Sequence, residues 1–460
     1  MERDTEGIVD SLTAGKLSRR VFVARASALG LSAGAISSIL AACGGDDEGG
    51  GGDTPQSGSG SEPADLAGSL VLYKGPFSAE EPKQVSALLA AFGDKFPSVE
   101  VKREQFDWEA MATQFPTKFL SDSPPDVNTV PEIEFIKWVP RGVFEDLTPY
   151  VTDPSWKSEF DAIPTAFWDL AKSPDGKIYG VPWWGVILSM LFLNKDLLAE
   201  AGVTDVNSSF AAFHTAAQKV GELDGDAFGF SIRTTQFNPA AFDWAAWLHA
   251  AGADLLNEAR TACAANTAEA QQAFQMLSDM QAKEKLSPAP GAYDEDGLRG
   301  LFQAGRVAIH HGDNGYVHVL TGEPPDFEWD VAAIPRGPAD EHPTGMFGIG
   351  HLTMSSKSEN KDAAWELIKH LGSADVVAQY FEEVALLPGR TDLADRMYKD
   401  DPYTQKVLQD ILPGVQGWRL HPKINEMLQR SQASFDALYA GDKTAEQALE
   451  EVCSVVENTI

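Results

Sequence analysis

Aromatic side chains stand beside charged or amide side chains at several predicted loops and turns of the sequence. An aromatic ring offers an apolar face for stacking, and a neighbouring carboxylate, amide or guanidinium group offers hydrogen bonds. This combination suits a ligand with apolar C–H faces and a rim of hydroxyl groups, as a sugar has. The residues that carry the pattern are Glu132, Trp183, Trp184, Trp244, Trp247, Asp313, Asn314, Trp418 and Arg419.

The tryptophan pairs also have a packing interpretation. Trp183 and Trp184 are adjacent, and adjacent strand residues face opposite sides, so at most one of them can be a stacking platform. Trp244 and Trp247 flank the start of an apolar helix, where core filling is the alternative to ligand stacking.

The polar candidates lie in predicted loops. Glu132 follows a short strand near Asp126, and an exposed loop position is its alternative. Asp313 and Asn314 belong to Gly-Asp-Asn-Gly, which is a turn signal as well as a candidate site. Trp418 and Arg419 lie in a loop rich in Gly and Pro, where stacking and bidentate hydrogen bonding combine.

Other chemistries find less support in the residues. His310, His311 and His318 with Asp313 resemble a metal cluster, but the adjacent histidines of a strand point to opposite faces, and we expect no metal. Cys263 and Cys453 form either a disulfide, in an oxidising exterior, or two buried thiols. Nucleophile-elbow, zinc-protease and phosphate-loop motifs do not occur in the sequence after residue 65. We expect no catalysis and no cofactor.

Composition excludes several classes of protein. The 460 residues contain 36 Lys and Arg against 68 Asp and Glu, a formal charge of −32, which argues against a nucleic-acid partner and against adhesion to anionic lipid. A hydrophobic content of 43% is that of a folded globular protein. The length predicts two or three domains.

The N-terminus has the pattern of an export signal. Arg19 and Arg20 precede a mildly apolar run, and Leu-Ala-Ala-Cys follows, ending at Cys43. We therefore predict a twin-arginine lipoprotein signal over 1–42 and lipid attachment at Cys43. Residues 43–65, rich in Gly, Ser and acidic side chains, are then a flexible tether. The protein is expected outside the cytoplasmic membrane, anchored only by lipid.

Behind the tether, short β-rich runs alternate with helical periodicity, which predicts an α/β protein. Strands are predicted near 69–73, 99–101, 126–128, 306–310 and 329–333. Helices are predicted over 81–96, before the Pro124-Pro125 stop, over 363–371, along the apolar stripe 424–438, and over 445–456.

The order of these passages resembles the bacterial extracellular solute-binding proteins, in particular the maltose-binding-like group. The resemblance covers about residues 68–456. Leu193 stands where the family usually has Tyr, and Ile309 where it usually has Met. The passages that carry it are 70–76, 115–127, 142–150, 175–182 with 191–198, 302–309 and 441–449.

The resemblance implies two α/β lobes of the type II periplasmic-binding fold. The expected first lobe is 66–182 with 303–347, and the second is 183–302 with 348–460. Hinge crossings are expected near 181–184, 301–305 and 346–350. Lys74 and Phe77 follow the first strand, where the family often contacts its ligand.

The implied function is that of a monomeric solute receptor of an ABC importer. It binds a sugar or oligosaccharide between its lobes, closes by a hinge motion and delivers the solute to a membrane permease. Three alternatives stay open: the same fold binding a polyamine, glycerol phosphodiester or peptide; a secreted glycan hydrolase or lyase; and an envelope sensor without transport.

Overall fold

The structure, a computed structural model, describes residues 66–460 apart from 78–80, 109, 174–175, 235–236, 338–342, 385, 391 and 394–395. Arg19, Arg20, Cys43 and the tether 43–65 lie outside the described residues. The export signal and the lipid anchor therefore stay predictions.

The described strands form one large sheet and one small hairpin. Along the large sheet the order is β2-β1-β3-β10-β4-β8-β5, and β9 and β11 also pair with β4, while β6 pairs with β7. The strands are β1 Gly68–Lys74, β2 Val99–Gln105, β3 Val127–Pro131, β4 Val181–Asn194, β5 Phe228–Ser231, β6 Asp254–Leu256, β7 Cys263–Ala264, β8 Val307–Gly312, β9 Trp329–Ala332, β10 Met346–Met354 and β11 Leu387–Pro388.

Helices cover the sheet and fill the connections. They are α1 Glu81–Lys95, α2 Met111–Phe119, α3 Glu132–Trp138, α4 Thr148–Val151, α5 Lys157–Ala162, α6 Thr165–Leu170, α7 Lys195–Glu200, α8 Phe210–Gly221, α9 Phe237–Ala250, α10 Ala268–Ala282, α11 Glu295–Gln303, α12 Gly315–Gly322, α13 Lys361–Gly372, α14 Ala374–Val384, α15 Pro402–Lys406, α16 Ile424–Tyr439 and α17 Ala445–Thr459. None of the helices in the described part of the chain is long and apolar enough to cross a membrane.

The first lobe is built on β1, α1 and β2. Val85, Leu88 and Phe92 recur at helical spacing on α1, and all three are buried against the apolar residues of β1. Strands β1 and β2 pair in parallel from Gly68 opposite Val99, which the intervening helix allows. The predicted strand–helix–strand order is confirmed here.

The second lobe surrounds β5 and β8 with α9, α10, α16 and α17. The apolar stripe predicted along 424–438 is buried, with Phe435 at the centre of the core. Helix α17 begins with a capping box, in which the side chains of Thr444 and Gln447 satisfy each other's backbone N–H groups. The two-lobed α/β fold that the resemblance implies is therefore the fold of this chain.

Two antiparallel strands, β4 and β10, join the lobes. β10 lies between β3 and β4, so Gly350 is opposite Pro131 on one side and Trp184 on the other. The far end of β4 pairs with β8, where Met190 is opposite Gly312. The 14-residue strand β4 thus runs from the first lobe into the second.

The cores divide the chain differently from the lobe boundaries expected from the sequence. Core residues of lobe 1 come from 70–184 and 352–397. Those of lobe 2, apart from Ile133 and Leu387, come from 187–349 and 407–456. Residues 303–347 pack in lobe 2 because β8 and β9 pair with β4 there. Residues 301–305 connect α11 to β8 within lobe 2 and do not cross between the lobes.

A disulfide links Cys263 to Cys453. Of the two alternatives that the sequence left open, the structure has the bonded one. The bridge ties the small hairpin strand β7 to α17, the last helix of lobe 2.

Candidate functional site

The carboxyl ends of strands from both lobes converge on one short stretch of β4. In parallel and mixed α/β sheets, ligands bind outside these carboxyl ends. β3 ends at Pro131, level with Trp184, and β8 ends at Gly312, level with Met190. The loops that leave both ends therefore face residues 184–190 of β4, which makes this region the candidate site.

The floor of the site consists of one face of β4 and β10. Trp184, Val186 and Leu188 alternate on β4, and the opposing positions on β10 are Gly348 and Gly350. A Cβ on Gly350 would lie 2.0 Å from the Trp184 indole, and one on Gly348 would lie 2.7 Å from Leu188 Cδ1. Glycine at both positions lets the neighbouring side chains lie flat across β10.

An aromatic wall stands at the lobe 1 edge of this floor. The ring of Phe77 stacks on Trp108 at 5.6 Å and meets Trp184 edge-on at 5.4 Å. Phe77 and Trp108 are half-buried, and Trp184 keeps 6% of its surface exposed. The Trp184 Nε1–H has no hydrogen-bond partner among the described residues. The wall offers ring surface for stacking and one unused donor.

A buried ion pair supports this wall from below. Lys74 Nζ forms an ion pair with Glu81, which also accepts a hydrogen bond from the Tyr380 hydroxyl. The Lys74 ammonium lies 3.9 Å from the centroid of the Phe77 ring. Burial, which outweighs the attraction of Glu81, lowers the pKa of Lys74 to about 7. We place Lys74 as a positioning residue for Phe77 because its own side chain is enclosed.

Glu132 occupies the end of β3, at the edge of the floor. Its Oε2 accepts a hydrogen bond of 2.9 Å from the Ile349 backbone N–H, and its Oε1 lies next to Gly348. Only 4% of the side chain is exposed. Burial raises the pKa of Glu132 to about 7, against the backbone hydrogen bonds that favour the anion. The carboxyl group is a fixed hydrogen-bonding group beside the glycines.

On the lobe 2 side, Arg233 connects the end of β5 to the floor. Its guanidinium donates to both carboxylate oxygens of Asp243, at 2.9 and 2.6 Å, and to the Leu188 carbonyl at 2.7 Å. Burial opposes ionisation of Asp243, but Arg233 holds the pKa of that carboxyl below its usual range. The network therefore fixes lobe 2 to the centre of β4.

A second, more exposed network adjoins Arg233. Arg299 bridges Glu295 and Asp313, each at 2.6 Å, and Arg233 Nη1 lies 3.4 Å from Glu295. Burial disfavours the Asp313 carboxylate, but Arg299 and Arg233 together lower its pKa, whereas burial raises the pKa of Glu295. Asp313 thus lies beside the site, bound to two cations.

Asn314 fastens the end of β8 to β4. Its Oδ1 accepts a hydrogen bond of 2.7 Å from the Ile187 N–H, and its own backbone N–H donates to the Ile187 carbonyl at 3.0 Å. The residue therefore acts at the crossing strand, next to the site.

The structure places five of the predicted contact residues away from this site. Trp183 packs on Tyr380 and donates from Nε1 to the Leu371 carbonyl at 2.8 Å. The others belong to lobe 2: Trp244, Trp247 and Trp418 lie in its core with unpaired Nε1 atoms, and Arg419 pairs with Asp254. Core side chains enclose Trp183, Trp244 and Trp247, so packing explains these three tryptophans, whereas Trp418 also borders a cavity.

A cavity of about 860 Å³ lies on the opposite face of the same two strands. Phe347 of β10 forms part of its wall, stacked on Phe167 at 5.2 Å, and Trp418 and Arg419 are at its rim. Its volume suits a ligand, but the rings of Phe77 and Trp108 and the Glu132 carboxyl lie on the other face, with Trp184 and Gly348. We therefore assign the candidate site to the face of Trp184.

The two adjacent histidines of β8 point in opposite directions, as predicted. His310 meets Ser231 Oγ at 2.8 Å, and His311 stacks against Trp247. In the part of the chain that the structure describes, no three His, Cys, Asp or Glu side chains are arranged to hold a metal ion.

Sequence reasoning missed Trp108, Arg233 and the pair Gly348 and Gly350. Trp108 follows the end of β2, so the rule that site residues follow strand ends would have found it. The glycines alternate along β10, and only the strand register shows that they oppose Trp184 and Val186.

A family model supports the interpretation of the fold. Residues 78–378 match the model of the bacterial extracellular solute-binding proteins. The chain belongs to this family.

Individual relatives are distant but span the chain. A binding protein of Brucella abortus (strain 2308) is 23% identical over 393 residues, 84% of this chain and 92% of its own. Maltose-bound MalE3 of T. maritima superposes with a TM-score of 0.73 at 20% identity, over 85% of this chain and 100% of its own. UgpB of Mycobacterium tuberculosis in complex with glycerophosphocholine superposes with a TM-score of 0.72 at 15% identity. The match covers 85% of this chain and 98% of UgpB.

Proposed function

We propose that this protein binds a carbohydrate between its two lobes, at the floor formed by β4 and β10, and delivers it to an ABC permease. The observation that carries the proposal is the aromatic wall of Phe77, Trp108 and Trp184 beside the Glu132 carboxyl, where strand ends of both lobes meet. Ring faces stack on the C–H faces of sugars, and a carboxyl group accepts from their hydroxyls.

Closure follows from the same geometry. A solute that touches Trp184 on the lobe 1 side and the Arg233 network on the lobe 2 side favours the conformation in which both contacts exist. Strand β4 connects the two groups and provides the hinge. The bound sugar from the T. maritima relative supports this ligand class.

The test is a thermal-shift panel on the full-length protein with neutral mono- and disaccharides, polyamines, glycerophosphocholine and short peptides. A ligand at 100 times its Kd stabilises the folded state by about 2.7 kcal/mol. We expect a sugar to give the largest shift and to be recovered unchanged. A larger shift with a polyamine or peptide, or release of reducing sugar from a bound glycan, contradicts the proposal.

Membrane attachment is a separate part of the proposal. We infer that Arg19 and Arg20 direct export and that Cys43 carries the lipid, as the order of the motifs predicts. Cys43→Ser is expected to move the exported protein from the membrane fraction to the medium or periplasm. Retention of the variant in the membrane fraction would contradict lipid anchoring at Cys43.

A further inference from the structure

We propose that the site selects its solute by charge: it accepts an uncharged or amino-bearing carbohydrate and rejects an anionic one such as a sugar phosphate. This inference rests on the proposed function and narrows it to a class of carbohydrate.

Arg233 contacts the floor through the Leu188 carbonyl. Asp243 binds its guanidinium through both oxygens, the Leu188 carbonyl accepts from Nη2, and Glu295 lies 3.4 Å from Nη1. Only 4% of the side chain is exposed. A phosphate or carboxylate on the solute would have to displace one of these partners to obtain a hydrogen bond from Arg233.

Three further cations near the site are also paired with carboxylates. Arg299 is held by Glu295 and Asp313 at 2.6 Å each, and Lys74 is held by Glu81. Lys137, on α3, lies 3.5 Å from Glu134. Arg103, on edge strand β2, is an exception: its charge acts on Lys74 and Tyr380, and its Nε and Nη2 have no hydrogen-bond partner among the described residues, but it lies three strands from β10. The other cations, Arg233, Arg299, Lys74 and Lys137, already have carboxylate partners.

Glu132 places a carboxyl group at the floor of the site. Within the described residues no Lys or Arg nitrogen lies within 4 Å of its carboxyl group, which instead accepts from the Ile349 backbone N–H. Above pH 7, where Glu132 is ionised, a solute anion beside it would therefore meet a second negative group with no cation between them.

Trp184 and Glu132 provide hydrogen-bonding groups for a neutral ligand. The Trp184 indole is more than nine-tenths buried, lies across Gly350, and has an Nε1–H with no partner in the described structure. A buried donor without a partner is costly, and a sugar hydroxyl can accept its hydrogen bond. A neutral hydroxyl can also donate to Glu132, which an anionic group cannot do. The donor and the acceptor together fit hydroxyls.

The experiment measures Kd for matched pairs by isothermal titration with the protein at pH 8, where Glu132 is ionised. Maltose, trehalose and N,N′-diacetylchitobiose are each compared with their 6-phosphates. Glucosamine is compared with glucose, and glycerophosphocholine is measured as a ligand of another class. We expect the phosphate of any sugar that binds to bind at least about 100-fold more weakly, because like charges meet in a desolvated site. Equal or tighter binding of the phosphate overturns the inference and leaves the proposed function intact. If glycerophosphocholine binds and no sugar binds, both this inference and the proposed function are contradicted.

A variant tests the mechanism by gain of binding. Asp313→Asn removes one of the carboxylates that contact Arg299, so the sugar phosphate is expected to gain at least about tenfold in affinity over the wild type. The matched control is Glu323→Gln, which removes an exposed carboxylate at the C-terminal end of α12; it is expected to change nothing. Glu295→Gln serves as the second variant if Asp313→Asn does not fold. Unchanged phosphate affinity in a folded variant contradicts the inference.

Discussion

Trp183 and Trp184 are adjacent in the sequence, yet their side chains have opposite surroundings. The Trp183 indole is closed in by Tyr380 and Phe381, and its Nε1 donates to the Leu371 carbonyl. The Trp184 indole lies across Gly350, and its Nε1 is unused. One tryptophan packs in lobe 1, and the other lies at the candidate site.

The pair therefore gives a matched prediction. Trp184→Phe keeps an aromatic ring but removes the donor, so solute affinity should fall by about tenfold while the free energy of unfolding changes little. Trp183→Phe should leave affinity unchanged but lower the free energy of unfolding by about 1–3 kcal/mol, since the buried Leu371 carbonyl loses its partner. Titration calorimetry and urea unfolding measure the two quantities. A loss of affinity in Trp183→Phe, with unchanged affinity in Trp184→Phe, would contradict this location of the site.

Glu132 gives a prediction on pH. Because burial raises its folded pKa to about 7, above the usual value for Glu, the folded protein binds more protons than the unfolded chain between these values. Its contribution to stability is therefore present at low pH and is lost as the pH rises from about 4.5 to 7. Glu132→Gln should remove this loss and raise the free energy of unfolding at pH 8, relative to the wild type, by roughly 2–3 kcal/mol more than it does at pH 4.5.

The measurement is urea unfolding of both proteins at several pH values between 4.5 and 8. Comparing each variant with the wild type at the same pH cancels the other titrating groups. A difference that does not depend on pH would show that Glu132 ionises normally in the folded protein.

At the scale of elements, local patterns predicted five of the eleven strands and five of the seventeen helices in the described part of the chain, whereas strand pairing decided how they assemble. The spacing of Val85, Leu88 and Phe92 predicted α1 because a helix face needs only neighbours in sequence. The lobe assignment of 303–347 was different because it depends on β8 pairing with β4, more than a hundred residues away. Trp244 and Trp418 show the same limit of sequence-based prediction. An aromatic residue at a helix start or in a loop has the same local sequence pattern whether it packs in a core or contacts a ligand.

The disulfide acts between two elements, the strand β7 and the helix α17, which are 190 residues apart in sequence. Replacing Cys263 and Cys453 together by Ser should lower the free energy of unfolding by about 2–5 kcal/mol, because the unfolded chain then loses its cross-link. Urea unfolding with and without a reductant measures this. The reductant should destabilise the wild type and leave the double variant unchanged, and a variant as stable as the oxidised wild type would contradict this role.

At the scale of the whole molecule, the fold places two different surfaces on the strands that join the lobes. One face carries Trp184, Gly348 and Gly350 beside the strand ends. The other carries Phe347 and the apolar cavity. The cavity volume favours the second face, whereas the aromatic wall and the Glu132 carboxyl favour the first.

A crystal structure of the protein with the tightest-binding sugar of the panel decides between these faces. We predict that the sugar lies within about 4 Å of the Trp184 ring, a van der Waals contact, with a hydroxyl hydrogen-bonded to Glu132. A sugar bound instead in the cavity lined by Phe347 and Trp418 would contradict the central claim.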